Sequence, residues 1–372
     1  MRILIANPFG LGDVLFTLPL LQAIRFQKPS AFIGYLCNRR TDELTALFPE
    51  LDCHRPFELR STWRRSKKEG WREAHDSIQW IKEKKIEILL DLSLGWHAGF
   101  VAWAAGVPDR IGFDYRHRGR FLTQRIPLEG FHREPIPEEY LDLLPGIGLQ
   151  RPLRLRLKEA SPGASALRPG LRLNLPSQSA SLSEEHLRSL GIEAGEGILG
   201  MVPGGGASWG ANARFKQWAP ERFAKIGNQL AERHGLRPLL LGEAEEAPLL
   251  KEVSSRMSGR PVTLAPAPSL LLLAGILQRC RLVVGNDSGP MHLACAVGTR
   301  TLSIFGPVDA SVYGPYPRTE EERFHRVALR GLACRPCYQN FRFPPCPWDR
   351  ACLSGLSTDT VFQEADELLR LS

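Results

Sequence analysis

Apolar residues along this chain alternate between short unbroken runs and longer stretches of helical period. The first run, RILIA (residues 2–6), leads through a polar, glycine-bearing segment, Asn7–Gly12, into apolar positions at helical spacing from Asp13 to Gln27. An unbroken apolar run predicts a strand buried on both faces, and a 3.6-residue period predicts a helix. The alternation continues with a strand over 30–38, a short helix over 42–51 and a helix passing into the buried strand EILLDLS over 77–93. An apolar helix and short strand follow over 97–114. RPLRLRL (151–157) alternates and predicts an edge strand, whereas residues 158–180, rich in Ser, Pro, Gly and Arg, predict a surface loop leading to an interdomain linker.

The second half repeats the pattern. GILGMV predicts a strand opening into a glycine-rich loop. APERFAKIGNQLAERHG (219–235) is an amphipathic helix with Pro in its first turn and Gly after its end. RPLLLG, PVTLAP and RLVVGN read as strands separated by helices, and STDTVFQEADELLRLS is a capped final helix. Repeated βαβ units predict parallel sheets covered on both faces by helices. The expected architecture is therefore α/β, two doubly wound domains in tandem with a cleft between them. Ligands bind beyond the carboxyl ends of strands in such sheets, which singles out loops 7–13, 203–216, 242–246 and 285–290.

At 372 residues the chain is too long for one ordinary core, which agrees with two domains. Its 43% hydrophobic and 24% charged content is that of a soluble globular protein. The formal charge of +8 is uneven: residues 1–190 carry 28 Lys and Arg against 22 Asp and Glu, and the remainder carries 20 against 18. The basic first half suggests an anionic partner there, or simply a basic solvated surface. Residues 3–24 are too interrupted by Asn7, Pro8, Gly10, Gly12 and Asp13 for a signal peptide, which places the chain in the cytoplasm.

Four loops carry candidate chemistry. After RLVV the chain runs Gly285-Asn286-Asp287-Ser288-Gly289-Pro290 into a helix. Asp287 or Ser288 can cap that helix, Pro290 suits its first turn, and free N–H groups at its start suit an anion such as a diphosphate. In VPGGGASWGANARFKQWAP (202–220), Gly204, Gly205 and Gly206 permit close backbone contact, and Lys216 can neutralise a phosphate. That loop matches neither the Walker nor the dinucleotide glycine pattern. Asp13, at the start of the first helix, reads as an N-cap or as an ionised base. Glu243, Glu245 and Glu246 follow a strand and read as a ribose-binding acid or as helix-start acids. RSTWRRSKKEGWR (60–72), with six Lys and Arg and two Trp, reads as a mobile loop for an anionic partner, a solvated helix or a nucleic-acid patch; no nucleic-acid-binding motif accompanies it.

Taken in order, Gly-Leu-Gly-Asp at the first strand end, Pro-Gly…Lys-x-Trp, Leu-Gly…Glu, and Asp-Ser-Gly-Pro-Met-His-Leu-Ala…Phe-Gly-Pro form one series. It resembles the family 9 glycosyltransferases, typified by the ADP-heptose:lipopolysaccharide heptosyltransferases. The resemblance is strongest over 1–25 and 198–317 and thin over 53–75 and 155–185. It implies a GT-B fold of two facing Rossmann-like domains. An acceptor domain would span 1–175 and a nucleotide-sugar domain 190–355, with the final helix (356–372) crossing back onto the first. It implies an inverting, metal-independent transfer of a sugar, heptose from ADP-heptose being favoured over other nucleotide-sugars, to an anionic envelope glycolipid, with peripheral contact to the inner membrane. Asp13 would be the base and Lys216 would serve the leaving diphosphate. Gly204, Gly205, Asn212, Glu246, Asp287, Ser288, Gly289, Pro290 and His292 would hold the donor; Gly12, Arg64, Arg65, Lys67 and Lys68 would meet the acceptor. Rival readings are a silent nucleotide-sugar-binding protein and a redox or metal protein built on the cysteines.

Of eight cysteines, Cys37, Cys53, Cys280 and Cys295 are scattered and read as reduced packing residues. Cys334, Cys337, Cys346 and Cys352 form Cys-x2-Cys-x8-Cys-x5-Cys, which suggests a structural zinc or, as the second choice, an iron–sulfur cluster; the alternative is reduced cysteines packing a Pro-rich loop.

Overall fold

The structure, a computed structural model, describes residues 1–152, 170–317 and 319–371; of Ala207, Ser208, Ala211, Thr319 and Glu320 only the backbone is described. The chain divides into two compact units, Met1–Pro169 and Gly170–Ser372. In the first, β1 (Arg2–Ala6), β2 (Phe32–Cys37), β3 (Cys53–Pro56), β4 (Ile88–Asp91), β5 (Asp109–Tyr115) and β6 (Gln124–Leu128) form a parallel sheet in the order β3-β2-β1-β4-β5-β6. In the second, β7 (Gly197–Val202), β8 (Leu236–Leu241), β9 (Val262–Leu264), β10 (Leu282–Asn286), β11 (Thr301–Phe305) and β12 (His325–Leu329) form another, ordered β12-β11-β10-β7-β8-β9.

Both sheets start in the middle, run to one edge, then return to the other side of the first strand. Each therefore has one switch point, between β1 and β4 and between β7 and β10, where neighbouring strand ends send their connections in opposite directions. Register brings the ends level: Ala6 pairs with Asp91, and Val202 with Gly285. The central strands are apolar on both faces because helices cover both. Ile3, Leu4, Ile5, Leu282, Val283 and Val284 have no exposed surface, and each contributes roughly 1.5–3 kcal/mol of burial free energy.

Several sequence expectations need correction. The first helix starts at Leu11, two residues before Asp13, and breaks between Leu15 and Leu18. Residues 178–180 are not loop: helix Gln178–Ser189 packs its small Ser179 and Ser183 against Gly275. Residues 171–173 already belong to the second unit, where Leu171 N–H donates to Tyr316 O (2.9 Å) and Leu173 N–H to Ala296 O (2.8 Å). The edge strand expected at 151–157 and most of the 158–180 loop lie outside the described residues.

The final helix, Thr358–Arg370, packs within the second unit. Val361, Ala365, Leu368 and Leu369 are buried in the core of the second, with Phe223, Leu230 and Val284. Polar contacts secure it there: His234 and Arg233 both reach Asp366 (2.8 and 2.9 Å), and Arg326 reaches Glu364 and Glu367 (2.8 and 2.6 Å). No helix among the described residues is long and apolar enough to cross a membrane.

Candidate active site

The connections after β7 and β10 meet at the switch point of the second sheet. Asn286, fully buried at the end of β10, joins them: its Nδ2 donates to Pro203 O (2.7 Å), and its Oδ1 accepts from Trp218 N–H (3.1 Å). Gly204 and Gly205 are glycines because space demands it. A Cβ at Gly204 would land on the Glu246 carboxylate, and one at Gly205 on the Ala213 carbonyl. Gly206 takes φ +87°, a region that favours glycine, and a Cβ there would lie 3.7 Å from Ser288 Cβ.

Lys216 and Asp287 form a buried ion pair at this junction, Nζ to Oδ2 2.8 Å, with 3% and 5% of their surfaces exposed. Lys216 is thus not a solvated lysine; its ammonium also sits 4.2 Å from the Trp209 ring centre. Asp287 spends its charge on Lys216, so neither it nor Ser288 caps the helix Gly289–Ala296: Ser288 holds the cap position without a side-chain cap bond. Its Oγ is buried with no hydrogen-bond partner, a costly state unless a ligand supplies one. Pro290 occupies the first turn as expected. His292, one turn in, lies 3.9 Å from Asp287 Oδ1; burial holds its pKa down to about 4, Lys216 adding to this and Asp287 opposing, so the ring is neutral at pH 7.

Glu246 reaches back from the loop after β8. Its Oε2 accepts from Glu243 N–H (3.0 Å), and the N–H groups of Gly205 and Gly206 also stabilise its charge, although burial pushes its carboxyl above the ordinary range. Glu246 therefore shapes the glycine loop itself. Glu243 and Glu245 are exposed, and so is Asn212, away from the buried pair's level of burial.

In the first unit, Asp13 is the third residue of helix Leu11–Leu15, and its Oδ2 accepts from Gly10 N–H (3.2 Å), not as an N-cap but reaching back to one. Gly12 lies beside it in the same turn. The turn is held from below by residues that sequence reasoning missed. Buried Asn7 donates to Asp13 O (2.9 Å) and Thr17 Oγ1 (3.0 Å), and Thr17 meets the Tyr35 hydroxyl (3.0 Å). Asp91, at the end of β4, is buried; burial raises its carboxyl to about 6, against hydrogen bonds from Ser93.

Residues 60–72 are not a mobile loop. They form helix Leu59–Arg65 and the start of helix Lys67–Glu83, which Ser66 caps by accepting from Glu69 N–H. Trp63 packs against Gly70 and joins an aromatic cluster with Trp71, Trp96 and Phe100. Arg64, Arg65, Lys67 and Lys68 are exposed on these helices. A second cationic group, missed because its members are scattered in sequence, surrounds His97: burial first, then Arg60, Arg118 and Arg120, lowers the ring to about 4, and Arg120 also sits 4.9 Å from the Trp96 ring centre.

In the second unit, Cys334, Cys337, Cys346 and Cys352 line one cavity and none is in a disulfide. Cys37, by contrast, sits with Asp42 and His54, where Asp42 Oδ1 accepts from the thiol (3.4 Å) and lies 2.9 Å from His54 Nδ1.

Residues 75–337 match glycosyltransferase family 9 (heptosyltransferase). Among curated proteins, lipooligosaccharide heptosyltransferase 2 of Campylobacter jejuni is 30% identical over 49% of this chain, and the chain spans about half of that relative's length (54%). The protein of the same name from Haemophilus influenzae is 25% identical over 85% of this chain and 86% of its own. Solved structures share the fold. A family 9 glycosyltransferase from Veillonella parvula superposes with TM-score 0.78 at 21% identity, covering 99% of this chain and 97% of its own. ADP-heptose lps heptosyltransferase II of E. coli does so with 0.74 at 19%, covering 99% and 98%. With two parallel six-stranded Rossmann-like sheets in the GT-B manner and a family match across most of its length, the chain belongs to glycosyltransferase family 9.

Proposed function

We propose that the protein transfers heptose from ADP-heptose to an anionic lipopolysaccharide-type acceptor, working in the cytoplasm against the membrane face that presents it. The observation that carries this reading is the buried Lys216–Asp287 pair beside an unpartnered Ser288 hydroxyl at a helix start, beneath a loop of enforced glycines. A leaving diphosphate gathers negative charge as the glycosidic bond breaks. The N–H groups from Gly289 onward, the Ser288 hydroxyl and Lys216 meet that charge with preset dipoles and a cation. Asp287 holds Lys216 in place and keeps the empty site neutral, which removes the difficulty of an acid beside a diphosphate. His292, neutral, adds a polar contact without charge.

Asp13, in the first unit, takes the proton from the acceptor hydroxyl as it attacks the anomeric carbon, giving inversion. Its carboxylate is aimed by Gly10 N–H and its backbone by Asn7. The cations around the Trp63–Trp96–Phe100 cluster, with Arg64, Arg65, Lys67 and Lys68, offer phosphate contacts and aromatic faces to the acceptor. Glu246 organises the glycine loop and, being only partly buried, also meets the ribose.

Incubation with ADP-heptose and heptose-deficient lipopolysaccharide tests this. Release of ADP together with acceptor mass gain of one heptose is expected. Turnover with a UDP-sugar and none with ADP-heptose would overturn the donor assignment, and binding without turnover of any sugar would favour a silent nucleotide-sugar-binding protein.

A further inference from the structure

The second unit carries a cluster that the transfer reaction does not use. Cys334, Cys337, Cys346 and Cys352 fall within nineteen residues of sequence and all line one cavity of about 320 Å³. Its remaining wall is mostly apolar, with Phe215, Leu332, Phe343 and Trp348, and adds the polar Gln339 and Arg350. Two of the four cysteines are exposed, yet all four residues line the same space. The segment between Leu329 and Ala351 has no regular element beyond a single bridge, Gln339 to Arg342. Such a segment buries too little apolar surface to fix its own shape, and small loop-rich pieces are commonly fixed by disulfides or metals. No disulfide is present.

We propose that these four sulfurs are the ligands of a thiolate-bound metal centre, either one zinc ion or an iron–sulfur cluster. Soft thiolates in an apolar shell select these groups over magnesium or calcium, which take oxygen. Arg350 N–H donates to Cys346 Sγ (3.3 Å), the kind of contact that stabilises a ligating thiolate. Four zinc–sulfur bonds of about 2.3 Å draw sulfurs to ~3.8 Å from one another. Among the described residues only Cys37, Asp42 and His54 bring three donor atoms within 4.8 Å, so the cavity is wider than a zinc site. A zinc ion therefore requires the sulfurs to draw closer together, whereas an iron–sulfur cluster takes a wider spacing. Either ligand set binds as thiolate, with the thiol protons released to solvent.

The centre has a place to act. Phe343 packs on Trp209 (5.3 Å between ring centres) and on Phe215 (5.6 Å), Tyr338 packs on Trp209 (4.9 Å), and Arg350 Nη1 donates to Arg214 O (2.9 Å). Trp209 in turn covers Lys216. The metal centre buttresses the loop that carries the proposed phosphate-binding lysine; this consequence, unlike the site itself, rests on the function proposed above.

The test is metal content of the full chain, expressed with iron and zinc supplied and purified without oxygen. The expected result is about one zinc per chain, or about four irons with matching acid-labile sulfide and a brown colour. Cys346→Ser, at an exposed position, should lower that content at least fivefold, while Cys53→Ser, outside the cluster, leaves it unchanged and controls for folding. Less than a tenth of an equivalent of either metal, with no uptake of added Zn²⁺ or of iron and sulfide by the reduced protein, overturns the proposal, as does undiminished metal in Cys346→Ser. None of these readings depends on sugar transfer.

Discussion

At the scale of single residues, charge and burial set the expectations. Asp13→Asn keeps the turn but cannot take a proton, so turnover should fall by about 10²–10⁴ with nucleotide affinity unchanged, read from ADP release and from calorimetry. Titration gives a second check. Burial holds His97, His292 and His325 each down to about 4. A depressed folded-state pKa contributes stability that is present above the ordinary value of about 6.5 and lost as pH falls toward 4. His292→Gln should therefore gain in melting temperature relative to wild type between pH 7 and pH 4.5. Asp91 works the other way. Raised to about 6, it contributes stability below about 4 that is lost as pH rises through 6, so Asp91→Asn should gain relative to wild type between pH 4 and pH 7. Flat differences across those ranges would show that the buried groups do not titrate as their surroundings require. Of the buried titrating groups, His97, His292, His325 and Asp91, only His292 stood out in the sequence, because burial is a property of the packed chain.

At the scale of elements, the loop after β7 is the sharpest case. Gly204→Ala drives a methyl into the Glu246 carboxylate, so either the loop or Glu246 must shift. A cost of about 1–3 kcal/mol in folding stability is expected, read as a lower melting temperature, together with weaker nucleotide binding. An unaltered dissociation constant would mean the loop does not line the site. The loop was legible in the sequence because three consecutive glycines after an apolar run are hard to explain otherwise. Its dependence on Glu246 and Asn286 was not, since those contacts span 42 and 83 residues of chain. Helix against loop was the least legible distinction. Residues 60–72 looked mobile because cations outnumber apolar residues, but Trp63 against Gly70 fixes them. Helix Gln178–Ser189 was hidden because two of its three buried residues are serines, matched to Gly275 rather than forming an apolar stripe.

At the scale of the molecule, apolar runs alternating with helical periods were enough to give two doubly wound sheets, because a parallel strand buried on both faces has few other solutions. Where the last helix goes could not be read that way. Its apolar stripe fits any partner; the choice is made by Asp366 meeting His234 and Arg233 and by Arg326 meeting Glu364 and Glu367. Leu368→Ala should accordingly cost about 2–5 kcal/mol in denaturant unfolding of the second unit. On the function proposed above, this unit binds a nucleoside diphosphate on Lys216 and the helix start at Ser288. Calorimetric titration with ADP tests it most directly. One site is expected in the wild type, at least tenfold weaker binding in Lys216→Met and in Ser288→Pro, and wild-type binding in Asp13→Asn. Equal affinity in wild type and Lys216→Met, or no ADP binding by any of them, would contradict it.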